Sequence, residues 1–290
     1  MSIDSADLKD LVYAVAGRTQ FRPAIIEKDY FLTLILNSLN ERLSDRIIFK
    51  GGTLLNKIYL PMLRLSEDLD FSHDGRGGLE VRAKRSRAIE PVRKGMERFL
   101  ETLGLRSDNP RGEGFNNSTQ YIFLAKYPSF VTMKEEIVKI EVSLRHPPCT
   151  DTVNNRIDHF FRDPFTGEEL LPKGSIRSLS YDETVAEKLR AAITRREAMI
   201  RDYYDLKQIA SSGFDFLRED FIRVFREKIS EDGYQGDYRM RFGRSGSEIE
   251  KLHKMVETDL RPVIRAGDEF DLDLVFRLFD EILGDERYGY

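Results

Sequence analysis

The chain has one cysteine in 290 residues, Cys149, no tryptophan and four histidines. A single cysteine excludes an internal disulfide and a cysteine-built zinc cluster. The histidines are scattered and show no ligand spacing. No apolar run approaches the ~20 residues that cross a bilayer, and Met1 is not followed by a signal-peptide pattern. These absences imply a cytoplasmic protein with no membrane segment. Neither charge sign dominates: 46 Lys and Arg stand against 50 Asp and Glu, a net charge of −4. That weighs against a simple nucleic-acid coat protein. Internal repeats and low-complexity segments are also missing. The remainder is ordinary for a globular chain, 40% hydrophobic and 33% charged, and long enough for one large domain or two small ones.

Against that plain background one stretch stands out. Residues 46–50, Arg-Ile-Ile-Phe-Lys, read as a short buried strand. Gly51-Gly52-Thr53 follows, then a run of 14 residues, then Asp68-Leu69-Asp70-Phe71. Two glycines allow a tight turn and close approach of backbone to a ligand. Thr53 is placed to cap a short helix over 54–59, whose first amides would favour an anion, and Pro61 stops that helix. Side chains two apart on a strand point the same way, so Asp68 and Asp70 share one face while Leu69 and Phe71 share the other. Two carboxylates aimed at one place repel unless a cation lies between them, and hard oxygen ligands suit Mg²⁺. Taken singly, a Gly-Gly-Thr is most often a turn and an Asp-x-Asp most often a solvated strand edge.

The rest of the chain reads as a mixed α+β arrangement followed by helices. Helices are expected over 3–16 and 21–43, and a long charged helix over 79–103. Residues 108–114 form a turn cluster. Strands are expected at 120–126 and 136–145. The second alternates cleanly, with Val138, Ile140, Val142 and Leu144 on one face and Lys139, Glu141, Ser143 and Arg145 on the other. Its polar face is either ordinary solvent exposure or the floor of a cleft. Pro147-Pro148 ends it, 151–173 is irregular, and 176–179 is an edge strand or a connector. Helices then cover 181–195, 201–211, 216–230, 245–260 and 272–283. The expected domains are 1–175 and 176–290.

Two basic runs interrupt the even charge. Between 82 and 98 lie Arg82, Lys84, Arg85, Arg87, Arg93, Lys94 and Arg98. Between 188 and 201 lie Lys188, Arg190, Arg195, Arg196 and Arg201. They suit phosphates of a nucleotide or an RNA backbone, or simply a solvated helix face. Lys188 shares a helix face with Ala191, Ala192 and Arg195, and the alanines leave room beside it. A surface pair with Glu187 or Glu183 explains it equally well. Further on, Asp202 and Asp205 share a face in Arg201-Asp202-Tyr203-Tyr204-Asp205-Leu206, where an Arg201–Asp205 pair is the simplest role.

The segment 50–71 resembles the nucleotidyltransferase signature of the DNA polymerase β-like superfamily. More narrowly, the chain resembles the AbiEii/AbiGii toxin family of bacterial type IV toxin–antitoxin systems. Glu27-Lys28-Asp29-Tyr30, Glu187-Lys188-Leu189 and Arg201 to Leu206 are similar to further motifs of that family, in its order. The resemblance implies a nucleotidyltransferase-type mixed β-sheet flanked by helices, then a helical domain contributing Lys188 and Asp202 to the cleft. It implies Mg²⁺ on Asp68 and Asp70, with Glu141 matching the third carboxylate of the superfamily. Gly51, Gly52 and Thr53 would hold the phosphates of a nucleoside triphosphate. Lys188 would neutralise their charge, with Asp202, favoured over Asp205, beside it. The implied acceptor is an RNA 3′ end, that of the tRNA acceptor stem, so that translation and growth stop. The implied protein partner is a cognate antitoxin. Transfer to a protein or small molecule, or non-catalytic nucleotide binding, are the alternative functions.

Overall fold

The structure, a computed structural model, describes residues 5–39, 43, 45–76, 78–163, 166–171 and 174–288. The chain divides into two compact units, Met1–Leu179 and Ser180–Tyr290. No helix among the described residues is long and apolar enough to cross a membrane.

The first unit is built on a seven-stranded mixed sheet. Its strands are β1 (Ile47–Lys50), β2 (Asp68–His73), β3 (Glu113–Phe115), β4 (Gln120–Pro128), β5 (Glu135–Ser143), β6 (Val153–Arg156) and β7 (Ser175–Ser178). Their order across the sheet is β3-β4-β5-β2-β1-β7-β6. β2 runs antiparallel to β1 and parallel to β5, so three strands distant in sequence meet at the centre. Alternation then separates two faces. Leu69 and Phe71 of β2, Val138, Ile140 and Val142 of β5, and Phe49 of β1 are all buried in one hydrophobic core. Phe49 and Phe71 touch across β1 and β2, ring centres 5.5 Å apart. Polar side chains of the same strands take the other face.

Helices α1 (Ser5–Thr19) and α2 (Pro23–Ser38) precede the sheet. Pro23 starts α2 at the position where a missing N–H costs nothing. Leu32, Ile35 and Leu36 of α2 join the sheet's core. The opening residues of the expected first helix and residues 40–42 of the expected second lie outside the described residues. The helix expected over 79–103 is two, α4 (Arg82–Ala88) and α5 (Glu90–Thr102), after the short α3 (Gly51–Leu54) that follows β1. Pro91 lies in the first turn of α5 and lacks the amide that would have continued the ladder. β3 and β6 fall where a turn cluster and irregular chain were expected. Both are short and largely exposed.

The second unit is helical: α6 (Tyr181–Thr194), α7 (Ile200–Ser211), α8 (Glu219–Ser230), α9 (Tyr238–Gly243), α10 (Ser247–Met255) and α11 (Leu272–Leu283). Ser180 caps α6 by accepting from the Glu183 amide, and Asp271 caps α11. Aromatic contacts fill the interior: Phe216 with Phe221 and Phe279, and Phe242 stacked on Phe279 at 4.8 Å. α9 had no counterpart in the sequence reading.

Candidate active site

The turn after β1 begins with a backbone that L side chains rarely adopt. Gly51 has φ +80, and a Cβ there would run into the Asp70 carboxylate and lie 2.9 Å from Asp70 Cβ. Conformation and space therefore both require glycine. Helix α3 (Gly51–Leu54) starts at Gly51, with Lys50 in extended backbone at the cap position. This corrects the expected role of Thr53 as cap, since Thr53 already lies inside the helix. Its hydroxyl donates instead to the Asp68 carbonyl, pinning the turn to β2. α3 widens into a π turn over Leu55–Tyr59, closed by the Leu60 amide on the Leu55 carbonyl. Asn56 steadies it by donating to the Gly52 carbonyl at 3.0 Å.

Register assembles the carboxylates. Asp70 lies opposite Lys50 on β1 and opposite Glu141 on β5, and Asp68 lies opposite Lys139. Asp68, Asp70, Lys139 and Glu141 thus stand on one face of two neighbouring strands, beside the Gly51 turn. Asp68 is 44% exposed and Glu141 22%, so the row is open to solvent. Lys139 Nζ is 3.7 Å from Asp68 Oδ2 and 3.5 Å from Glu141 Oε2. Burial and the neighbouring Glu141 push the Asp70 carboxyl up to about 6; Lys50 pulls the other way and Asp68 adds to the rise. For Lys139, burial opposes the charge, but Asp68, Glu141 and Asp70 outweigh it and raise its pKa.

Among the described residues, no three Asp, Glu, His or Cys side chains close into a group that would hold a metal ion. The donor set nevertheless fits a hard divalent cation. It offers carboxylate oxygens only, and the rise of the Asp70 carboxyl pKa, caused by burial first and by Glu141 and Asp68 after it, would be offset by added positive charge.

In the second unit Lys188 is held by two aspartates of the next helix. Its Nζ is 2.9 Å from Asp202 Oδ1 and 2.9 Å from Asp205 Oδ2. Arg195 approaches the other Asp202 oxygen at 2.9 Å. Glu183 and Glu187, the other partners expected for Lys188, are bound by a buried Lys228, at 2.7 and 3.6 Å. The two candidate aspartates are therefore equivalent in distance to Lys188. The basic run there is largely engaged: Arg190 pairs with Glu231 and Arg201 donates to the Asp259 carbonyl. In the first unit Arg82, Lys84 and Arg87 are exposed on α4, while Arg93 donates to the Arg111 carbonyl and lies over the Tyr121 ring.

Residues 34–283 match the model of the family described as nucleotidyl transferase AbiEii toxin, Type IV TA system. The chain belongs to that family. The matched span starts after Glu27–Tyr30 and runs well past Leu206, so the AbiEii family covers the helical unit almost to its end. No curated protein matches the chain. Among solved structures it is similar to MenT4, a nucleotidyltransferase toxin of Mycobacterium tuberculosis, with TM-score 0.63 and 18% identity, covering 96% of this chain and 89% of that one. It is also similar to JHP933 of Helicobacter pylori, with TM-score 0.50 and 15% identity, covering 91% and 92%.

Two features of this AbiEii chain were missed by reading its sequence. Lys139 enters the acid row only through the β2–β5 register. Lys57, inside the π turn, is fully buried, with Nζ 2.8 Å from Asp29 Oδ1 and donating to Thr33 Oγ1 at 2.9 Å. The Glu27–Tyr30 run thereby finds its place. Asp29 anchors the turn, Glu27 accepts from Ser129 and from the Phe130 amide, and Tyr30 packs edge-on against Phe161.

Proposed function

We propose that this chain transfers a nucleoside monophosphate from a nucleoside triphosphate to an RNA 3′ hydroxyl, with the tRNA acceptor end as the acceptor. Pyrophosphate leaves, and the blocked RNA no longer supports translation or growth. The observation that carries the reading is the packing of Asp70 against Gly51, with Asp68 and Glu141 beside it on one sheet face. Family membership supplies the reaction class.

Asp68, Asp70 and Glu141 are the residues that would hold Mg²⁺, which when bound supplies positive charge to the reacting phosphoryl group. Glu141 would complete that site or take the proton of the attacking hydroxyl. The amides of Gly51, Gly52 and Thr53 would hold the outer phosphates; the Thr53 hydroxyl is engaged at the Asp68 carbonyl. Lys188 would neutralise triphosphate charge, with Asp202 and Asp205 fixing its ammonium. A cognate antitoxin is the expected protein partner.

The test is incubation with each α-labelled nucleoside triphosphate in turn, with total RNA and separately with protein extract, followed by sequencing of RNA 3′ ends. Extended 3′ ends that depend on Asp68 are expected. Label confined to protein would reject the RNA acceptor and favour protein nucleotidylation. No transfer from any triphosphate would favour plain binding.

A further inference from the structure

Lys139 differs from three other lysines of this protein. Lys57, Lys188 and Lys228 each make an ion pair between 2.7 and 2.9 Å and are almost wholly shielded from water. Lys139 does neither. Its contacts with Asp68 and Glu141 are 3.7 and 3.5 Å, at the outer limit of an ion pair, and its side chain is 36% exposed. It stands beside a carboxylate cluster whose charges repel. Around it are Asp68, Asp70 and Glu141, with Lys50 across β2 as the second cation that bears on Asp70.

We infer that Lys139 is a tethered counter-ion of the acid row, occupying the ground that a divalent cation needs and yielding it when the cation arrives. This rests on the reading that the acid row binds such a cation. The physics is a competition. A single ammonium on a flexible four-carbon stem offsets part of the carboxylate repulsion, but at these distances it satisfies no oxygen fully. A divalent ion satisfies the same oxygens better and must first overcome the repulsion of the resident ammonium. Lys139 therefore lowers metal affinity while steadying the metal-free protein. Removing one unit charge a few ångströms from the cation, in a half-exposed setting, corresponds to about a tenfold gain in affinity.

The experiment is a Mn²⁺ titration without nucleotide, with free ion read by electron paramagnetic resonance, on the wild type, K139Q, K139R and D70N. Thermal melts with and without Mn²⁺ accompany it. K139Q is expected to bind Mn²⁺ about tenfold more tightly than wild type. K139R should stay near wild type and D70N should lose the site. Metal-free K139Q should melt lower than wild type and gain more from Mn²⁺. If wild type binds Mn²⁺ in an Asp70-dependent way but K139Q binds no tighter, the counter-ion role is wrong and the acid row remains a cation site. If neither wild type nor K139Q binds, both this role and the cation reading fall.

Discussion

Two ionic clusters adjoin the same short turn and are built in opposite ways. On one side, Lys57 reaches from the π turn to Asp29 and Thr33 of α2 at 2.8 and 2.9 Å, fully buried. On the other, Gly51 presses against Asp70, and Asp68 and Glu141 share the loosely placed Lys139 in a half-open row, with Lys50 opposite Asp70. The first cluster is closed: its charges are matched, near and dry. The second is left open, with more negative charge than local positive charge and an Asp70 carboxyl raised by burial and by its acidic neighbours. The Lys57–Asp29 pair is spent on holding the turn, and removing one partner leaves an uncompensated charge. A mismatched, accessible cluster is costly to keep and is relieved by binding. The same turn thus has an anchored side and a working side.

The largest effect that could break this comparison is on catalysis. Asp68→Ala and Asp70→Ala should each lower transferase activity by about a thousandfold or more, while circular dichroism and melting stay close to wild type. Loss of fold in these variants would mean the row is structural. Conversely, Asp29→Ala should destabilise the first unit by about 3–5 kcal/mol, because Lys57 would be buried without its partner. That corresponds to a drop of roughly 10 °C in melting temperature. An unchanged melt for Asp29→Ala would show that the anchored side does not anchor.

Gly51→Ala probes the point where the two sides meet. It forces a Cβ into the Asp70 carboxylate on a left-handed backbone. A loss of about a hundredfold in activity is expected, since small misplacements of reacting groups carry that cost. The control is Gly104→Ala. Gly104 also has positive φ, but a Cβ there meets nothing within 4 Å. It should leave activity near wild type, and an equal loss at Gly104 would assign the effect to backbone strain alone.

This contrast was only half legible in the sequence. Asp68 and Asp70 announced themselves because a two-residue period on an apolar strand fixes which side chains share a face. The core positions of β5 followed from the same alternation, while Glu141 was singled out from its polar face by the family resemblance. The partners of the lysines did not, because they depend on register and on helix packing, which sequence spacing does not carry. Lys188 reads as a neighbour of Glu187, yet it is held by Asp202 and Asp205 of the next helix. Nothing in the sequence marks Lys57, which is buried. Short edge strands such as β3 and β6 lack enough buried positions to impose a period. The break at Ile89 was written in Pro91, but the strong helical charge pattern on both sides concealed it.

The smallest expected effect is the sharpest test of the open side, because its sign is unusual. Asp70 titrates at about 6 in the folded protein against an ordinary 3.8. Below pH ~4 folded and unfolded chains both hold the proton, so the group contributes no pH dependence. Between ~4 and ~6 the folded chain keeps the proton and the unfolded chain releases it, so stability falls as pH rises. Above ~6 the full penalty of an ionised, repelled carboxylate is present. Asp70→Asn removes that penalty while keeping the shape. In chelator at pH 7 the variant should melt a few degrees above wild type, equivalent to roughly 1–2 kcal/mol after allowance for solvent screening. The difference should shrink as pH falls from 6 to 4. Added Mg²⁺ should then raise the wild type and leave the variant where it was. A variant that melts below wild type at pH 7 would mean that the Asp70 charge is already compensated, and the acid row would be as closed as the Lys57 anchor.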